Sequence, residues 1–352
     1  MTDHLRPIRG RGTAENPPNR FELLVYERDP ADADGEGVAA TTQFFRDRSR
    51  SVIARNDSPD VGFGASVNPY RGCEHGCAYC YARPFHEYLG FSAGLDFETK
   101  IMVKEDAPEL LRRELESPRW RPEVLAFSGV TDCYQPIERR LRITRRCLEV
   151  ITEFRNPVGI VTKNRLVARD VDLLAPLANL QAAMVLLSVT TLDGSLANKL
   201  EPRASHPAAR LEAVRELAQA GVPVGVMVAP VIPGLTDHEI PSVLAAAAEA
   251  GASFAGFTML RLPYAVAGLF EQWLDRHFPD KKEKVLGRVR EMRAGKLNDA
   301  NFGTRMRGEG NLANIIREMF VLARRKVGIA EKAPNLSTDA FQRPGDQRLL
   351  FK

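Results

Sequence analysis

The sequence predicts an α/β fold built on a parallel sheet. Between residues 64 and 262, short apolar segments rich in β-branched residues alternate about six times with segments of helical periodicity. Strands this apolar are typical of a parallel sheet that helices cover on both faces. The alternation indicates βαβ units, and therefore an α/β barrel or a doubly wound sheet. No GxGxxG sequence opens the first helix, which disfavours a dinucleotide-binding fold.

The predicted elements follow in a regular order. The strands are short and apolar: ASVNPY (65–70), EVLAFSG (123–129), VGIVTK (158–163), AMVLLSVTT (183–191), VPVGVMVAP (222–230) and FAGFTML (254–260). The helices show apolar positions three or four residues apart: EDAPELLRREL (105–115), ERRLRITRRCLEVITEFR (138–155), DVDLLAPLA (170–178), AARLEAVRELAQAG (208–221) and HEIPSVLAAAAEAG (238–251). Six units are fewer than the eight of a complete α/β barrel.

Two flanking regions differ in composition from this central part. Residues 1–62 are rich in Gly, Pro, Asp and Arg, which predicts a flexible, extended N-terminal arm with little core. Residues 263–352 contain three amphipathic segments, which predict a helical C-terminal extension. We therefore expect an arm (1–62), a core (63–262) and an extension (263–352).

Charge and hydropathy restrict the class of protein. The net charge is +4, and the extension is its basic part, with 18 Lys and Arg against 11 Asp and Glu. A basic surface favours anionic partners such as nucleic acid, although a solvated helix face has the same composition. No run of 18 apolar residues occurs and the N-terminus has no apolar signal segment, so we expect a cytoplasmic protein that does not span a membrane. Nothing in the sequence predicts the oligomeric state.

Three of the five cysteines lie within eight residues, in CEHGCAYC (73–80). Clustered thiols in a reducing compartment indicate metal or redox chemistry. A structural zinc ion needs four closed ligands, and His75 or His86 is a candidate for the fourth. A four-iron cluster on four thiolates needs the distant Cys133 or Cys147, and Cys147 is better explained as a small core residue.

The remaining interpretation is a four-iron cluster held by Cys73, Cys77 and Cys80. One iron then keeps an open position, as catalytic metal sites do. Gly72 and Gly76 permit the tight bend that brings three sulfurs to one cluster.

At this point the sequence resembles a known family. CEHGCAYC is similar to the Cys-x3-Cys-x-aromatic-Cys signature of radical S-adenosylmethionine (SAM) enzymes. NPYRGCEHGCAYCYAR, SGVTDCYQPIE and SVTTLD resemble its branch related to spore photoproduct lyase, often labelled DNA repair photolyase-like, over residues 64–262. The resemblance implies a partial (βα)6 TIM-type barrel, a [4Fe–4S] cluster whose open iron binds SAM, and reduced flavodoxin or ferredoxin as electron donor. It also implies that cleavage of SAM yields a 5′-deoxyadenosyl radical, which takes a hydrogen atom from a substrate.

The resemblance implies SAM-binding residues near the ends of the strands. Tyr79 occupies the aromatic position that lies against adenine, and Ser128 with Gly129 occupies the position that contacts the amino group. Lys163 is a candidate partner for the SAM carboxylate. Ser188 is a candidate for binding the ribose or the carboxylate of SAM. Glu201 and Arg203 are candidates for binding SAM or the substrate; the alternative is that they form a plain surface ion pair. The alternative for each polar residue at a strand end is that its side chain only forms hydrogen bonds with backbone groups.

The loop TDCYQPIE (131–138) follows the second strand and should face the substrate. A thiol and a phenol donate hydrogen atoms readily, so Cys133 and Tyr134 are candidates for returning one; a turn fixed by Asp132 and Pro136 is the alternative. In spore photoproduct lyase a cysteine lies near this place, whereas here Phe127 precedes Ser128. The branch suggests nucleic acid as substrate, with the reacting base exposed or flipped. The alternative function is a non-catalytic iron–sulfur or zinc module that binds nucleic acid.

Overall fold

A computed structural model describes residues 8–21 and 41–345. Its main feature is a seven-stranded sheet in the order β10-β9-β8-β7-β6-β3-β2, in which neighbours from β3 to β10 are parallel and β2 is antiparallel to β3 at one edge. Its strands are β2 (Ile53–Arg55), β3 (Ala65–Val67), β6 (Leu125–Phe127), β7 (Val158–Thr162), β8 (Ala183–Ser188), β9 (Val224–Val231) and β10 (Phe254–Met259). The six parallel strands are the six that the sequence predicts, so the α/β prediction is confirmed.

A second, smaller sheet is formed by strands that precede β6 in the sequence, and the sequence did not predict it. It has the order β1-β5-β4, formed by β1 (Gln43–Arg46), β4 (Tyr70–Arg71) and β5 (Lys100–Val103). Strands β1 and β2 belong to the region predicted to be an extended arm. They are only four and three residues long, and their partners are strands farther along the chain, so no local pattern announces them.

The helices cover the sheet and fill the connections between strands. They are α1 (Leu95–Thr99), α2 (Ala107–Glu116), α3 (Glu138–Leu141), α4 (Ile143–Phe154), α5 (Val171–Asn179), α6 (Gly194–Leu200), α7 (Pro207–Gln219), α8 (Ile240–Glu249), α9 (Ala265–His277), α10 (Lys282–Glu291) and α11 (Gly310–Lys326). Helix α7 begins with proline, which needs no N–H in the first turn, and ends just before Gly221, which has φ 76°.

The single helix predicted over 138–155 is wrong in one place, because Arg142 is left-handed (φ 53°) and separates α3 from α4. The carboxylate of Glu138 accepts hydrogen bonds from the Thr144 and Arg145 N–H groups at 3.0 and 3.3 Å, which are in the first turn of α4. It also accepts from the Tyr70 hydroxyl at 2.6 Å. The turn lets one buried carboxylate cap α4 and anchor it to β4.

The core lies between the sheet and its helices. Side chains of the central strands, such as Ile160, Val185 and Val226, are fully buried together with Leu148 and Ile151 of α4. Burial of each such aliphatic side chain contributes roughly 1.5–3 kcal/mol. The six parallel strands lie in chain order across the sheet, so right-handed connections place their helices on one face, and the expectation of helices on both faces is wrong.

The C-terminal helices pack on this core and reach the cysteine segment. Trp273 and Phe270 of α9 form a second buried cluster that includes Cys77 and Tyr79. The Trp273 indole N–H donates to the Lys199 carbonyl at 2.9 Å. The predicted helices of the extension are confirmed, whereas the division of the chain at residues 62 and 262 stays a prediction. No helix in 8–21 or 41–345 is long and apolar enough to cross a membrane.

Candidate active site

The cysteine loop (residues 73–80) follows β4 and is largely buried. Cys73 and Cys77 are each 7% exposed, and Cys80 is partly buried. Gly72 and Gly76 adopt φ 80° and 65°, a region that favours glycine, so the predicted bends at both positions are confirmed. Cys80 packs against the apolar groups around both Cys73 and Cys77.

The surroundings of the three thiols disfavour free thiolates, although Cys73 and Cys77 belong to two separate buried clusters and Cys80 packs against both. Burial raises the pKa of all three thiols. Asp132 and the other two thiols raise the pKa of Cys73 further, which places them within electrostatic range of one another. A bound metal centre supplies the positive charge that stabilises such thiolates. Three cysteine thiols on one loop are, by their chemistry, a donor set that suits an iron–sulfur cluster.

Cys133 and Cys147 lie outside the loop, and the two candidate histidines, His75 and His86, have other partners. Cys133 and Cys147 are fully buried in the main core. The His75 ring nitrogens lie 3.4 Å from an Asp132 oxygen and 3.3 Å from the Asn164 side-chain nitrogen. His86 packs against Phe91 and Phe97. Within residues 8–21 and 41–345, no group of three or more His, Cys, Asp or Glu side chains is arranged to hold a single metal ion.

Polar contacts tie the loop to the ends of the parallel strands. The Glu74 N–H donates to the Gln135 side-chain oxygen at 2.9 Å, and the Gln135 amide donates to the Gly72 carbonyl at 3.1 Å. The Glu74 carboxylate accepts from the Ile137 N–H at 2.9 Å. The segment 131–138 predicted to face the substrate therefore also holds the loop in place.

A charged network joins the loop to strands β7, β8 and β9. The Lys163 ammonium lies 3.0 Å from Glu201, donates to the Thr190 hydroxyl at 3.1 Å and donates to the Ala229 carbonyl at 2.9 Å. The Tyr79 hydroxyl donates to Glu201, and Arg210 forms a buried ion pair with the same carboxylate.

The electrostatics of this network keep Glu201 ionised. Burial by itself raises the pKa of Glu201, but Arg210 and Lys163 outweigh it and hold the pKa well below its usual range. Burial, then Glu201, raises the pKa of the Tyr79 phenol. The structure thus brings together the predicted residues Tyr79, Lys163 and Glu201.

The other predicted strand-end residues lie at neighbouring positions. Ser128 follows β6 with φ 73°, an unusual conformation for a residue with a side chain, and its hydroxyl accepts from the Cys133 N–H at 2.8 Å. Gly129 has no space for a Cβ, which would lie 2.9 Å from the side chain of Ser66. Ser188 ends β8, and its carbonyl accepts from Arg210 at 2.9 Å.

Arg203 contacts the loop from a different direction. Its guanidinium lies 3.0 Å from Glu74, and its backbone N–H donates to the His75 carbonyl at 3.2 Å. Arg203 therefore pairs with Glu74 rather than with Glu201, which is buried and paired with Lys163 and Arg210, so the alternative of a surface ion pair between Glu201 and Arg203 is wrong.

Cys133 and Tyr134 are both fully buried. The Tyr134 hydroxyl donates to Asp170 at 3.0 Å. Asp132 is the polar centre of this turn, and it accepts from the Thr162 hydroxyl and the Lys163 N–H, both at 2.8 Å. In this conformation neither side chain is open to a substrate, and their role as hydrogen donors stays a prediction.

An aromatic cleft of about 540 Å³ opens beside the loop. Gly129 and Val130 line its inner end, next to the end of β6. Five exposed aromatic rings are among the other residues that line it: Tyr81, Phe85, Tyr88, Tyr264 and Phe302. The Tyr81 hydroxyl donates to the Gly129 carbonyl at 3.4 Å, so the residue directly after Cys80 forms part of the cleft.

Arginines stand among these rings. The Arg20 guanidinium lies 3.7 Å from the centre of the Tyr264 ring, and that of Arg305 lies 4.5 Å from the Phe302 ring. Arg20 and Arg305 pair with carboxylates, whereas Arg261 forms no ion pair in the described part of the chain. Burial, then Arg305, lowers the pKa of Arg261. No local sequence pattern predicts this cleft, because its residues come from six separate segments.

Comparisons with known proteins agree with this geometry. A model of the radical SAM superfamily matches residues 67–247. An uncharacterised protein of Mycobacterium tuberculosis is 38% identical over 232 residues, which are 65% of this chain and 67% of the relative. A radical SAM Nα-GlyT isomerase of Pseudomonas phage M6 is 27% identical over 200 residues, which are 56% of this chain and 39% of that protein.

The fold is similar to that of a solved spore photoproduct lyase complexed with dinucleoside spore photoproduct. The TM-score is 0.57 at 17% sequence identity, over 81% of this chain and 80% of the other. This likeness supports the predicted fold, and the family model matches about half of the chain, including the cysteine loop. The chain belongs to the radical SAM superfamily and is an enzyme of that class.

Proposed function

We propose that the enzyme holds a [4Fe–4S] cluster on Cys73, Cys77 and Cys80, binds SAM beside it, and acts on nucleic acid. The observation that carries the proposal is a loop with three thiols that contacts Gln135 after β6 and Asn164 after β7, at the carboxyl edge of the parallel strands. Active sites of parallel α/β proteins form at this edge of the sheet. When bound and reduced, the cluster supplies the electron that cleaves SAM to methionine and a 5′-deoxyadenosyl radical, which removes a hydrogen atom from the substrate.

The charged network is suited to the two ends of an amino acid group. The Lys163 ammonium is a partner for the carboxylate of SAM, and the buried Glu201 contributes to binding by holding Lys163 and Tyr79. Ser128 and Gly129 offer polar groups at the end of β6 for the amino group of SAM, and Ser188 does so at the end of β8 for its ribose or carboxylate.

Tyr79 is the residue that we assign to the nucleoside part of SAM. Its hydroxyl is held by Glu201 and Thr190, and the Lys163 ammonium lies 5.7 Å from its ring centre. A ring held at its polar end presents a fixed face on which adenine can stack. Arg203 contributes by holding Glu74 of the loop. Reduced flavodoxin or ferredoxin is the proposed electron donor.

The cleft supports nucleic acid as the substrate class. Exposed aromatic rings provide stacking surfaces for unpaired bases, and arginines among them provide contacts to phosphates and to base faces. A base inside a duplex hides its reacting atoms, so the substrate is a single strand or a base flipped out of a duplex. Tyr81 offers a phenol to this substrate directly beside the cluster ligands.

The test is an anaerobic assay of 5′-deoxyadenosine. The purified chain is reconstituted with iron and sulfide, reduced, and given SAM with or without single-stranded DNA, single-stranded RNA or duplex DNA. We expect the wild type to form the nucleoside, with a higher rate in the presence of a single strand, and Cys77→Ala to form none. A reducible cluster without nucleoside formation under any of these conditions would contradict the proposal and favour a binding module.

A further inference from the structure

Residues 11–13 of the N-terminal arm pack directly on the cysteine loop. Gly12 and Thr13 are buried, although a Gly- and Arg-rich terminal segment is ordinarily exposed. A Cβ added at Gly12 would lie 1.8 Å from the Gly76 carbonyl oxygen and 3.1 Å from the Ala78 nitrogen. Only glycine fits this contact, and Gly76 lies between the proposed ligands Cys73 and Cys77.

The buried carboxylate of Glu98 joins the arm to the site. One of its oxygens accepts from the Gly12 N–H at 3.0 Å. The other accepts from the Thr13 N–H and from the Thr13 hydroxyl, both at 3.1 Å. The Glu98 side chain has no solvent exposure, so these arm donors replace the water that the carboxylate would otherwise bind.

Arg83 extends this link to a proposed cluster ligand. Its guanidinium is also fully buried and donates to Glu98 at 2.6 Å. The same group donates to the Cys77 carbonyl from two nitrogens, at 3.1 and 2.8 Å. A continuous series of buried contacts therefore runs from Gly12 and Thr13 through Glu98 and Arg83 to Cys77.

A second link approaches the other side of the loop. Arg11 donates to the Glu98 carbonyl and to the Thr42 hydroxyl, both at 2.9 Å. Arg203 donates to the same hydroxyl at 3.2 Å and pairs with Glu74 of the loop at 3.0 Å. The arm thus contacts the loop near Cys77 and, through Thr42 and Arg203, near Cys73.

We propose that the segment Arg11–Thr13 is a structural part of the cluster site. Its docking on Glu98 holds the cysteine loop in the conformation that binds the cluster and keeps water and oxygen away from it. Glu98, Arg83 and Thr13 are positioning residues, because they act on the ligands through the loop backbone. The identity of the bound group rests on the proposed function, whereas the ordering of the loop by the arm does not.

The first test compares two glycine substitutions. Gly12→Ala places a Cβ against Gly76, whereas Gly287→Ala, in α10, meets nothing within 4 Å and serves as the matched control. In the metal-free chain we expect faster hydrogen exchange of the amides of residues 73–80 in Gly12→Ala, and no change in the control. After reconstitution we expect Gly12→Ala to hold less iron and sulfide per chain and to lose the cluster's visible absorption faster in air.

A milder pair of variants keeps the test valid if Gly12→Ala fails to fold. Thr13→Val removes the hydroxyl but keeps the shape, and Thr13→Ser keeps the hydroxyl. Loss of one hydrogen bond to a buried carboxylate should speed oxidative loss of the cluster about tenfold in Thr13→Val, with Thr13→Ser close to the wild type. The electron paramagnetic resonance spectrum of the reduced cluster should broaden or split in Thr13→Val alone, because the loop then adopts more than one conformation.

The outcomes separate this inference from the proposed function. If the wild type binds no iron and sulfide, the proposed function fails. Hydrogen exchange of the amides of residues 73–80 in the metal-free variants still tests whether the arm orders the loop. If the wild type binds a cluster, but Gly12→Ala and Thr13→Val match it in loop exchange, iron content and oxidation rate, the inference is wrong.

Discussion

The cysteine loop and the aromatic cleft lie side by side but are built in opposite ways. Loop residues such as Glu74 and His75 are buried and contact side chains far away in the sequence. In the cleft, Tyr88 and Tyr264 are 68% and 66% exposed, and their contacts are with rings or arginines at the surface. Under our proposal, the fold fixes the geometry of the cluster site, whereas the preference for a substrate depends on exposed side chains that can change without cost to the fold.

Loss of one ligand should have the largest effect. Cys77→Ala removes one of the three thiols of the cysteine loop. We expect loss of most iron and sulfide and complete loss of 5′-deoxyadenosine formation, measured by metal analysis and chromatography. Cys147→Ala, a core cysteine outside the loop, should keep its cluster; equal loss in both variants would contradict the assignment of the ligands.

Glu201→Ala should be the most destabilising change in the charged network. It leaves Arg210, whose side chain is 1% exposed, without its carboxylate partner. Removal of one partner of a buried ion pair costs about 3–5 kcal/mol of unfolding free energy. Denaturant unfolding of the metal-free chain measures this cost, and a loss below about 1 kcal/mol would show that the network is not buried in solution.

The effect of Glu201→Ala on the unfolding free energy should also depend on pH. Because the folded pKa of Glu201 is lowered, its ionisation stabilises the fold above the ordinary glutamate pKa of 4.5 and this contribution is lost as pH falls below it. The stability difference between wild type and Glu201→Ala should therefore be largest near neutral pH and decrease in acid. A difference independent of pH would contradict an ionised Glu201.

Tyr264→Ala should affect the cleft and leave the fold intact. Its ring is exposed, so we expect a change in unfolding free energy within about 0.5 kcal/mol. Loss of one stacking surface should weaken single-strand binding by about 1–3 kcal/mol, measured by fluorescence anisotropy at fixed salt concentration. Leu322→Ala, an exposed apolar residue on α11, is the control and should bind as the wild type does.

The smallest expected effect belongs to Tyr79→Phe. It keeps the ring but removes the hydroxyl that bonds to Glu201 and contacts Thr190. We expect SAM to bind about fivefold more weakly, in line with one hydrogen bond, while the cluster content is unchanged. Equilibrium dialysis with labelled SAM measures the affinity. A lower cluster content in Tyr79→Phe would instead show that the Tyr79 hydroxyl stabilises the cysteine loop.

These contrasts also explain what the sequence could and could not predict. The six parallel strands follow from local apolar patterns, and the cysteine loop follows from the spacing of Cys73, Cys77 and Cys80. The break at Arg142 depends on Glu138 reaching Tyr70, which lies 68 residues earlier. Contacts between residues this far apart leave no pattern in the sequence around either residue, so the sequence alone cannot predict them.

The packing of the arm and the position of the cleft could not be predicted from the sequence, for the same reason. The Gly12 contact with Glu98 spans 86 residues, and the composition of the arm alone indicates an extended chain. The rings of the cleft are far apart in sequence, at Tyr81 and Tyr264 for example, and single exposed aromatics have no pattern. Tertiary structure alone brings them together.

The most direct measurement follows hydrogen from substrate to cofactor. The reconstituted enzyme is incubated anaerobically with SAM and a single-stranded oligonucleotide deuterated at its carbon-bound positions, and the 5′-deoxyadenosine is analysed by mass spectrometry. Our account predicts deuterium in the nucleoside, with less in Tyr264→Ala because the strand binds more weakly. Nucleoside that forms at the same rate with and without the oligonucleotide, and contains no deuterium, would contradict nucleic acid as the substrate.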